Sequence, residues 1–359
     1  MGAIQQMLLS YMDIIISGDT YIRSITIDRT KCGSADQTDF TLLVSINDNT
    51  LKTVASGGHV YRSDGFDIGF YSDSGCTTQL NWEIEKYNGV DGKLIAWVKI
   101  PTVNGSSNST NTIFYMEYGS TAITTFQGGG IGSAWDSNFT MVQHFTTGTT
   151  LSANDSSVNG NNGIISGASA TTGIINGAAS FDGVSNSITC GYTNLPSGNT
   201  PFTITTWLYM PVVPTLNEVW PVVAWGLEVT NDAHGIMVYN SLGTTYLVFL
   251  LWDNDLTYTW SPVANTWYKI MVTYDGTTAA IYLNGTQVAS GARSIMTTPT
   301  NVDIGYFTGL IADYYSPINI DEVTISYNCR SGDWIITEYN NQNAPGDIDL
   351  ADFLIFGSE

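Results

Sequence analysis

The sequence predicts an all-β protein of two β-sandwich domains in tandem, and three observations carry that expectation. Apolar and polar residues alternate along most apolar stretches, the period of a strand covered on one face, while helical periodicity is nearly absent. Turn chemistry recurs at short intervals: Asp275-Gly276 and Asn284-Gly285 punctuate residues 267–289. Asn-Gly between two alternating runs favours a tight hairpin, because both residues tolerate the positive φ of a type I′ turn. Finally, Gly128, Gly129, Gly130 and Gly132 separate two strand series, a composition suited to a flexible joint. A chain of 359 residues is long enough for two ordinary cores.

Residues 1–20 read as an N-terminal arm. They are apolar but lack a basic leading region and are interrupted by Gln5, Gln6 and Asp13, which suits neither a signal peptide nor a membrane span. Ile14, Ile15 and Ile16 are β-branched, so the segment from Met1 to Gly18 is expected to add to the sheet edge of another protein or another copy. Packing back on its own first domain is the alternative. In the first domain, 21–127, residues 21–28, 40–46, 63–71, 82–87, 93–101 and 112–119 read as strands, and 49–56 as one short helix. Residues 128–134 form the linker. The second domain, 135–359, opens with Trp135 and a strand at 141–145, passes a polar loop at 155–163, and reaches a three-strand meander at 267–289. Residues 330–341 make the one convincing helix, with Trp334, Ile335, Glu338 and Tyr339 on a packed face. Residues 353–356 read as a last strand.

Asp and Glu outnumber Lys and Arg by 32 to 11, a net charge of −21. Such a surface repels phosphate backbones and anionic lipid, so neither nucleic acid nor membrane is an expected partner. It suits cations. Cys32, Cys76, Cys190 and Cys329 show no Cys-x-x-Cys spacing and no metal motif. Reduced thiols are the default reading, with disulfides inside each domain as the alternative.

Several stretches carry a resemblance. Trp267-Tyr268, residues 272–276 (Val-Thr-Tyr-Asp-Gly), 281–285 (Ile-Tyr-Leu-Asn-Gly) and Val288-Ala289 stand in order after 179–183 (Ala-Ser-Phe-Asp-Gly) and 202–207, and before 320–326. Together they resemble the LamG-like branch of the concanavalin A-like lectin/glucanase sandwiches across 135–359. The resemblance implies a concanavalin A-like jelly roll with one short C-terminal helix, and a structural calcium ion at a site it does not locate. Upstream, Asp39-Phe40, Ser63-Asp64-Gly65, Asp67-Ile68 and residues 83–87, 96–101 and 115–119 resemble a domain-of-unknown-function family that commonly stands before such a sandwich in bacterial, archaeal and phage proteins. The opening residues are similar to the N-termini of tailed-phage virion proteins.

A retaining glucanase would need two carboxylates on one strand across a cleft. Asp321 and Glu322 are adjacent, so a regular strand would point them to opposite faces. Glu83 and Glu85 share a face, which reads as a solvated one. His59, His144 and His234 are scattered and have no nucleophile beside them, and His144 reads as a core side chain. No catalytic site is expected. For calcium, Asp155, Asn159 and Asn161 alternate along one polar loop, with Asp321 able to approach from the far end of the chain. Asn/Asp turn chemistry is the competing reading. For glycan binding, Trp252, Tyr258, Trp260, Tyr306, Tyr314 and Tyr315 lie in or beside loop-like stretches, with structural packing as the alternative, whereas Trp207, Trp220, Trp225 and Trp267 read as core.

These readings converge on a non-enzymatic virion structural protein, a phage decoration or tail-associated module with surface-glycan binding. Its expected partners are other virion proteins or its own copies, and a host surface glycan. Assembly would occur in the host cytoplasm and display on the virion surface. The alternative is an extracellular bacterial or archaeal adhesin or glycan-binding module.

Overall fold

The computed structural model describes residues 20–146, 150–308, 313–346 and 352–359. The expected docking arm from Met1 to Gly18 lies outside them. In chain order the strands are β1 (Tyr21–Ile27), β2 (Gln37–Asn47), β3 (Gly69–Tyr71), β4 (Asn81–Asn88), β5 (Lys93–Val103) and β6 (Thr112–Tyr118). There follow β7 (Phe139–Gln143), β8 (Gly163–Ser166), β9 (Ser169–Thr172), β10 (Gly177–Ser180), β11 (Ser187–Cys190) and β12 (Phe202–Met210). Next come β13 (Val219–Trp225), β14 (His234–Ser241), β15 (Thr244–Leu250), β16 (Leu256–Trp260), β17 (Thr266–Tyr274) and β18 (Thr278–Leu283). The series ends with β19 (Thr286–Ala292), β20 (Val302–Ile304), β21 (Tyr306–Thr308), β22 (Asp313–Tyr315), β23 (Asn319–Ser326), helix α1 (Gly332–Asn343) and β24 (Leu354–Phe356).

The chain folds into two units. Of the described residues, the first contains 20–31, 36–134, 344–346 and 352–359; the second contains 32–35 and those between 135 and 343. The described residues from 344 on, read from sequence as the end of the second domain, thus belong to the first: β24 pairs with β1, Ile25 opposite Phe356. The expected joint at 128–134 also lies in the first unit, where the Trp82 amide donates to Gly128 O at 3.0 Å and Thr41 Oγ1 to Ala134 O at 2.6 Å.

Unit 1 has a four-stranded sheet, β24-β1-β6-β3, and a three-stranded one, β2-β5-β4. Phe70 of the first meets Trp82 of the second edge-on at 5.7 Å. Arg23 and Asp48 form a buried ion pair. Burial raises the Asp48 carboxyl, but the Thr50 amide and the Arg23 guanidinium outweigh it and hold the group below its ordinary range. Residues 49–56 form two separate 3-10 turns, Asn49–Leu51 and Val54–Ser56, rather than one helix. Asp48 caps the first through the Thr50 amide at 2.9 Å, and Gly57 closes the second at φ +89°. The alternation read at Glu83 and Glu85 is broken by a register shift between Ile84 and Lys86. Glu85 is not simply solvated, because it accepts from Trp97 Nε1 at 2.9 Å.

Unit 2 is a sandwich of two antiparallel sheets. One runs β19-β18-β17-β12-β23-β10-β9 with β7 also on β23; the other runs β16-β15-β14-β13-β20-β11-β8. Their inner faces share one apolar core, in which Ile204, Ile270, Val272 and Val323 of the first meet Val222, Ile236, Val238 and Phe249 of the second. The Asn284-Gly285 turn between β18 and β19 has positive φ at both residues, +50° and +76°, as a type I′ hairpin requires. Helix α1 lies on the outer face of the β12 sheet. Lys269 Nζ, fully buried, meets Glu338 Oε1 at 3.1 Å, and Trp207 Nε1 donates to Gln342 Oε1 at 2.8 Å. Trp267, expected in the core, instead sits half-buried on that outer face, beside Tyr209 at 5.3 Å.

His234 opens β14 fully buried, between Phe202 at 5.5 Å and Trp225 at 5.9 Å, with Nε2 hydrogen-bonded to Thr297 Oγ1. Burial pushes its pKa down to about 3, against a smaller opposing pull from Asp232. A folded pKa below the ordinary value of 6.5 means that the unfolded chain takes up the proton first. The stability tied to a neutral His234 is complete above pH 6.5 and falls as pH drops towards 3. We expect about 1 kcal/mol of it to be lost between pH 7 and 5.5. Denaturant unfolding of wild type and His234→Gln over that range checks this; equal pH slopes in the two proteins would contradict it.

Candidate functional site

The outer face of the β13–β16 sheet carries a cleft. On this face Pro221, Met237 and Val248 stand opposite one another across β13, β14 and β15, while their neighbours Val222, Ile236, Val238, Leu247 and Phe249 face the core. Leu250 lies on the same outer side, packed with Ala224 and Phe307 and partly covered by Met237 and Trp252. The space enclosed is about 210 Å³, walled by Val219, Pro221, Met237, Leu250, Trp252, Phe307 and Tyr314, with Asp253 and Asp255 as its carboxylates.

Two segments shape the cleft. The turn from β15 to β16 holds Trp252 and Asp253 at φ +39° and +62°, a left-handed conformation that is unfavourable for residues with a Cβ and persists only where surroundings enforce it. Those surroundings are explicit. The Asn231 amide donates to Leu251 O and Trp252 O at 3.1 and 3.0 Å, Thr230 Oγ1 to Asp253 Oδ2 at 3.0 Å, and the Leu251 amide to Asp255 Oδ1 at 2.7 Å. Burial pushes the Asp255 carboxyl above its usual range, and neighbouring Asp253 adds to the effect.

The second segment is the β21–β22 hairpin. Tyr306 pairs with Tyr315 and Phe307 with Tyr314. The first pair stacks at 5.6 Å, while Phe307 and Tyr314 face the cleft. The hairpin is held by the Gly305 amide on Val222 O at 3.0 Å and by Ser316 Oγ on Pro221 O at 2.6 Å. Gly305 has φ +76°, and a Cβ there would lie 2.3 Å from the Phe181 ring, so glycine is the residue that fits.

Of the six aromatics singled out from sequence, Trp252 and Tyr314 therefore line the cleft. Trp260 is instead a core residue and Tyr258 packs against the core, because β16 continues the alternation of the sheet instead of ending in a loop. Tyr306 and Tyr315 stack on each other, and Tyr306 Oη bonds Thr189 Oγ1 at 2.8 Å. Sequence reading missed Met237, Leu250 and Phe307, whose place on the outer side of the sheet depends on strand register.

The expected calcium ligands are placed differently. Asp155, Asn159 and Asn161 do share one loop, but protein donors already occupy it. Asp155 Oδ1 accepts from the Val142 and Ser157 amides, both at 2.8 Å. Its Oδ2 accepts from Ser157 Oγ and the Asn161 amide, both at 2.7 Å. Four donors match the roughly four lone-pair positions of a carboxylate. Asn161 Oδ1 takes the Thr193 amide at 2.7 Å, and Asn159 Oδ1 takes Asn194 Nδ2 at 2.7 Å. Asp321 accepts from the Ile175 amide at 3.0 Å, a contact that none of the loop residues shares. This donor-filled arrangement does not fit a cation.

Asp321 and Glu322 also depart from the regular alternation assumed for them. The β12–β23 register slips between Thr205 and Trp207, and Glu322 has φ +50°, so the strand bulges there. Glu322 meets His144 Nδ1 at 2.8 Å, which gives that buried imidazole its partner.

Comparison with known proteins agrees with this architecture. Residues 182–336 match the family model of the Concanavalin A-like lectin/glucanases superfamily. Residues 64–147 match that of a Domain of unknown function (DUF2341). No curated protein matches the chain. Among solved structures, the binding domain of Paraclostridial Mosquitocidal Protein 1 is 15% identical with a TM-score of 0.45, covering 58% of this chain and 53% of that one. Domain 4 of AbnA, an extracellular arabinanase from Geobacillus stearothermophilus in complex with arabinotriose, is 18% identical with a TM-score of 0.45, covering 55% and 97%. The Botulinum Neurotoxin serotype G binding domain is 15% identical with a TM-score of 0.45, covering 56% and 50%. The chain thus spans about half the length of the two toxin domains it matches.

The filled loop predicts opposite responses to two treatments. Millimolar chelator should leave the thermal midpoint unchanged. Asp155→Ala, which strands buried donors, should lower stability by about 3 kcal/mol. A chelator-induced drop that calcium reverses would restore the metal reading.

Proposed function

We propose that the second unit is a non-catalytic glycan-binding module and that the outer-face cleft is its binding site. The carrying observation is the cleft itself: Trp252 and Tyr314 exposed to a space of about 210 Å³ with Asp253 and Asp255 beside them. Aromatic side chains offer apolar faces to sugar rings, and carboxylates accept hydrogen bonds from sugar hydroxyls. The volume falls below the roughly 300–1,000 Å³ of common small-molecule pockets, which suits a single ring. Two carboxylates and a net charge of −21 disfavour anionic sugars, so the ligand is a neutral glycan. The match of residues 182–336 to a lectin and glucanase superfamily supports this class of ligand. Display on a phage virion, with an adhesin as the alternative, remains the setting suggested by the opening residues and the domain order.

Hydrolysis is the second reading, and one observation favours it: Asp255 is held above its usual range with Asp253 beside it at the cleft, and a carboxyl raised by its surroundings next to a second carboxyl group is the equipment of glycosidases. Against it, each carboxylate already takes a protein donor, Asp255 the Leu251 amide and Asp253 the Thr230 hydroxyl. Binding of neutral glycans on an array, followed by mass analysis of the bound glycan after prolonged incubation, separates the two. We expect intact glycan, and at least 10-fold weaker binding by Trp252→Ala at an unchanged thermal midpoint. Shortened glycan, produced by wild type and not by Asp255→Asn, would replace the binding-module reading with an enzymatic one.

A further inference from the structure

We propose that unit 2 ties its helix to its sheet covalently, through an amide that Lys269 Nζ forms with the side chain of Gln342 inside the folded chain. Four side chains on the outer face of the β12 sheet carry the proposal. Lys269 on β17 stands opposite Trp207 on β12 and is fully buried. Glu338 and Gln342, one turn apart on α1, reach down to the same place. Glu338 Oε1 lies 3.1 Å from Lys269 Nζ and 3.5 Å from Gln342 Nε2, so one oxygen serves both nitrogens. Trp207 Nε1 donates to Gln342 Oε1 at 2.8 Å. An ion pair alone accounts for Lys269 and Glu338. It does not account for a buried amide held between that carboxylate and an indole donor.

Each group has a role that aminolysis of an amide requires. Away from solvent, burial disfavours charge, so the pair can pass one proton from Nζ to Glu338. The freed lone pair of Nζ attacks Gln342 Cδ, and the carbonyl electrons move onto Oε1. Trp207 Nε1 is at hand for that oxyanion, within the roughly 2.7–3.1 Å of an effective donor. Glu338 then acts as a proton shuttle: its proton goes to Nε2, the Cδ–Nε2 bond breaks and ammonia leaves. The second proton lost by Nζ ends on Glu338, whose carboxyl is then neutral, as a buried acid without its cation should be. An amine and a primary amide thus give a secondary amide and ammonia, and no oxidant or co-reactant is needed. The reactants are held in place, Glu338 Oε2 by Trp334 Nε1 at 3.2 Å and Lys269 Nζ by Thr205 Oγ1 at 3.3 Å, which lowers the entropic part of the barrier. The step happens once per chain, so the module stays non-catalytic towards its ligand.

Intact-mass spectrometry of the purified full chain tests this. Folded wild type should be about 17 Da lighter than its sequence, the mass of the ammonia lost to the nucleophile. A cyclised Asn-Gly step loses the same mass, so the decisive observation is a joined peptide pair, after digestion, that carries Lys269 and Gln342. Gln342→Leu keeps the ion pair and should show no joined pair while its circular dichroism matches wild type. Trp207→Phe, which keeps a ring and loses the donor, should form the pair about 100-fold more slowly in samples drawn during cell-free synthesis. Folded wild type that retains its full sequence mass after prolonged incubation overturns the proposal. So does a mass loss without the Lys269 and Gln342 pair, or one that survives in Gln342→Leu.

Discussion

A lysine amine withdrawn from water underlies the layout of unit 2. Lys269 is fully buried, and its Nζ is held by Glu338 Oε1 at 3.1 Å and Thr205 Oγ1 at 3.3 Å. Glu338 also takes Trp334 Nε1 at 3.2 Å. A buried charge is tolerable only with its partner in place, so α1 must sit over this sheet for the strand carrying Lys269 to fold as it does. Cation and helix seal one outer face of the sandwich. The other outer face carries no such helix among the described residues, and there the chain keeps its cleft.

That asymmetry assigns different work to similar residues. Trp207 is fixed through its Nε1 on Gln342 and has no surface to offer. Trp252 is positioned by an unfavourable backbone conformation, which the hydrogen bonds from Asn231 and Thr230 and to Asp255 sustain. Conformational strain concentrated at one turn is a common mark of a site whose geometry matters more than its stability.

How far sequence could reach follows from the range of each interaction. The meander at 267–289 was legible because Asn284-Gly285 sets its turn from within, and Trp334 and Ile335 lie on the buried side of a helix close to the expected bounds. The bulges at Glu85 and Glu322 were not, since an inserted residue is defined by its partner strand and leaves no local mark. Trp252 and Trp260 are eight positions apart, yet one lines the cleft and the other the core, because the left-handed turn holds Trp252 on the outer side while the register of β16 turns Trp260 inward. The polar loop at Asp155 looked like an ion site for a related reason. Asn and Asp that collect backbone amides and those that collect cations are spelled alike, and only the donors from Val142 and Thr193 distinguish them. The return of residues 354–356 to β1 is likewise invisible locally, as its partner lies at the far end of the chain.

That return has a mechanical consequence. β24 runs antiparallel to β1, with Ile25 opposite Phe356 and Ile27 opposite Leu354, so a pull on Thr20 and Glu359 acts on the same end of the strand pair. Load in that direction opens the ladder one rung at a time, starting at the Gly357 amide on Ser24 O, instead of shearing all rungs together. Every residue from 135 to 343 lies between those two strands in the chain, so unit 2 feels no tension until β24 has peeled away. The short strand acts as a mechanical fuse, yielding first and leaving the sandwich that holds the cleft unstretched.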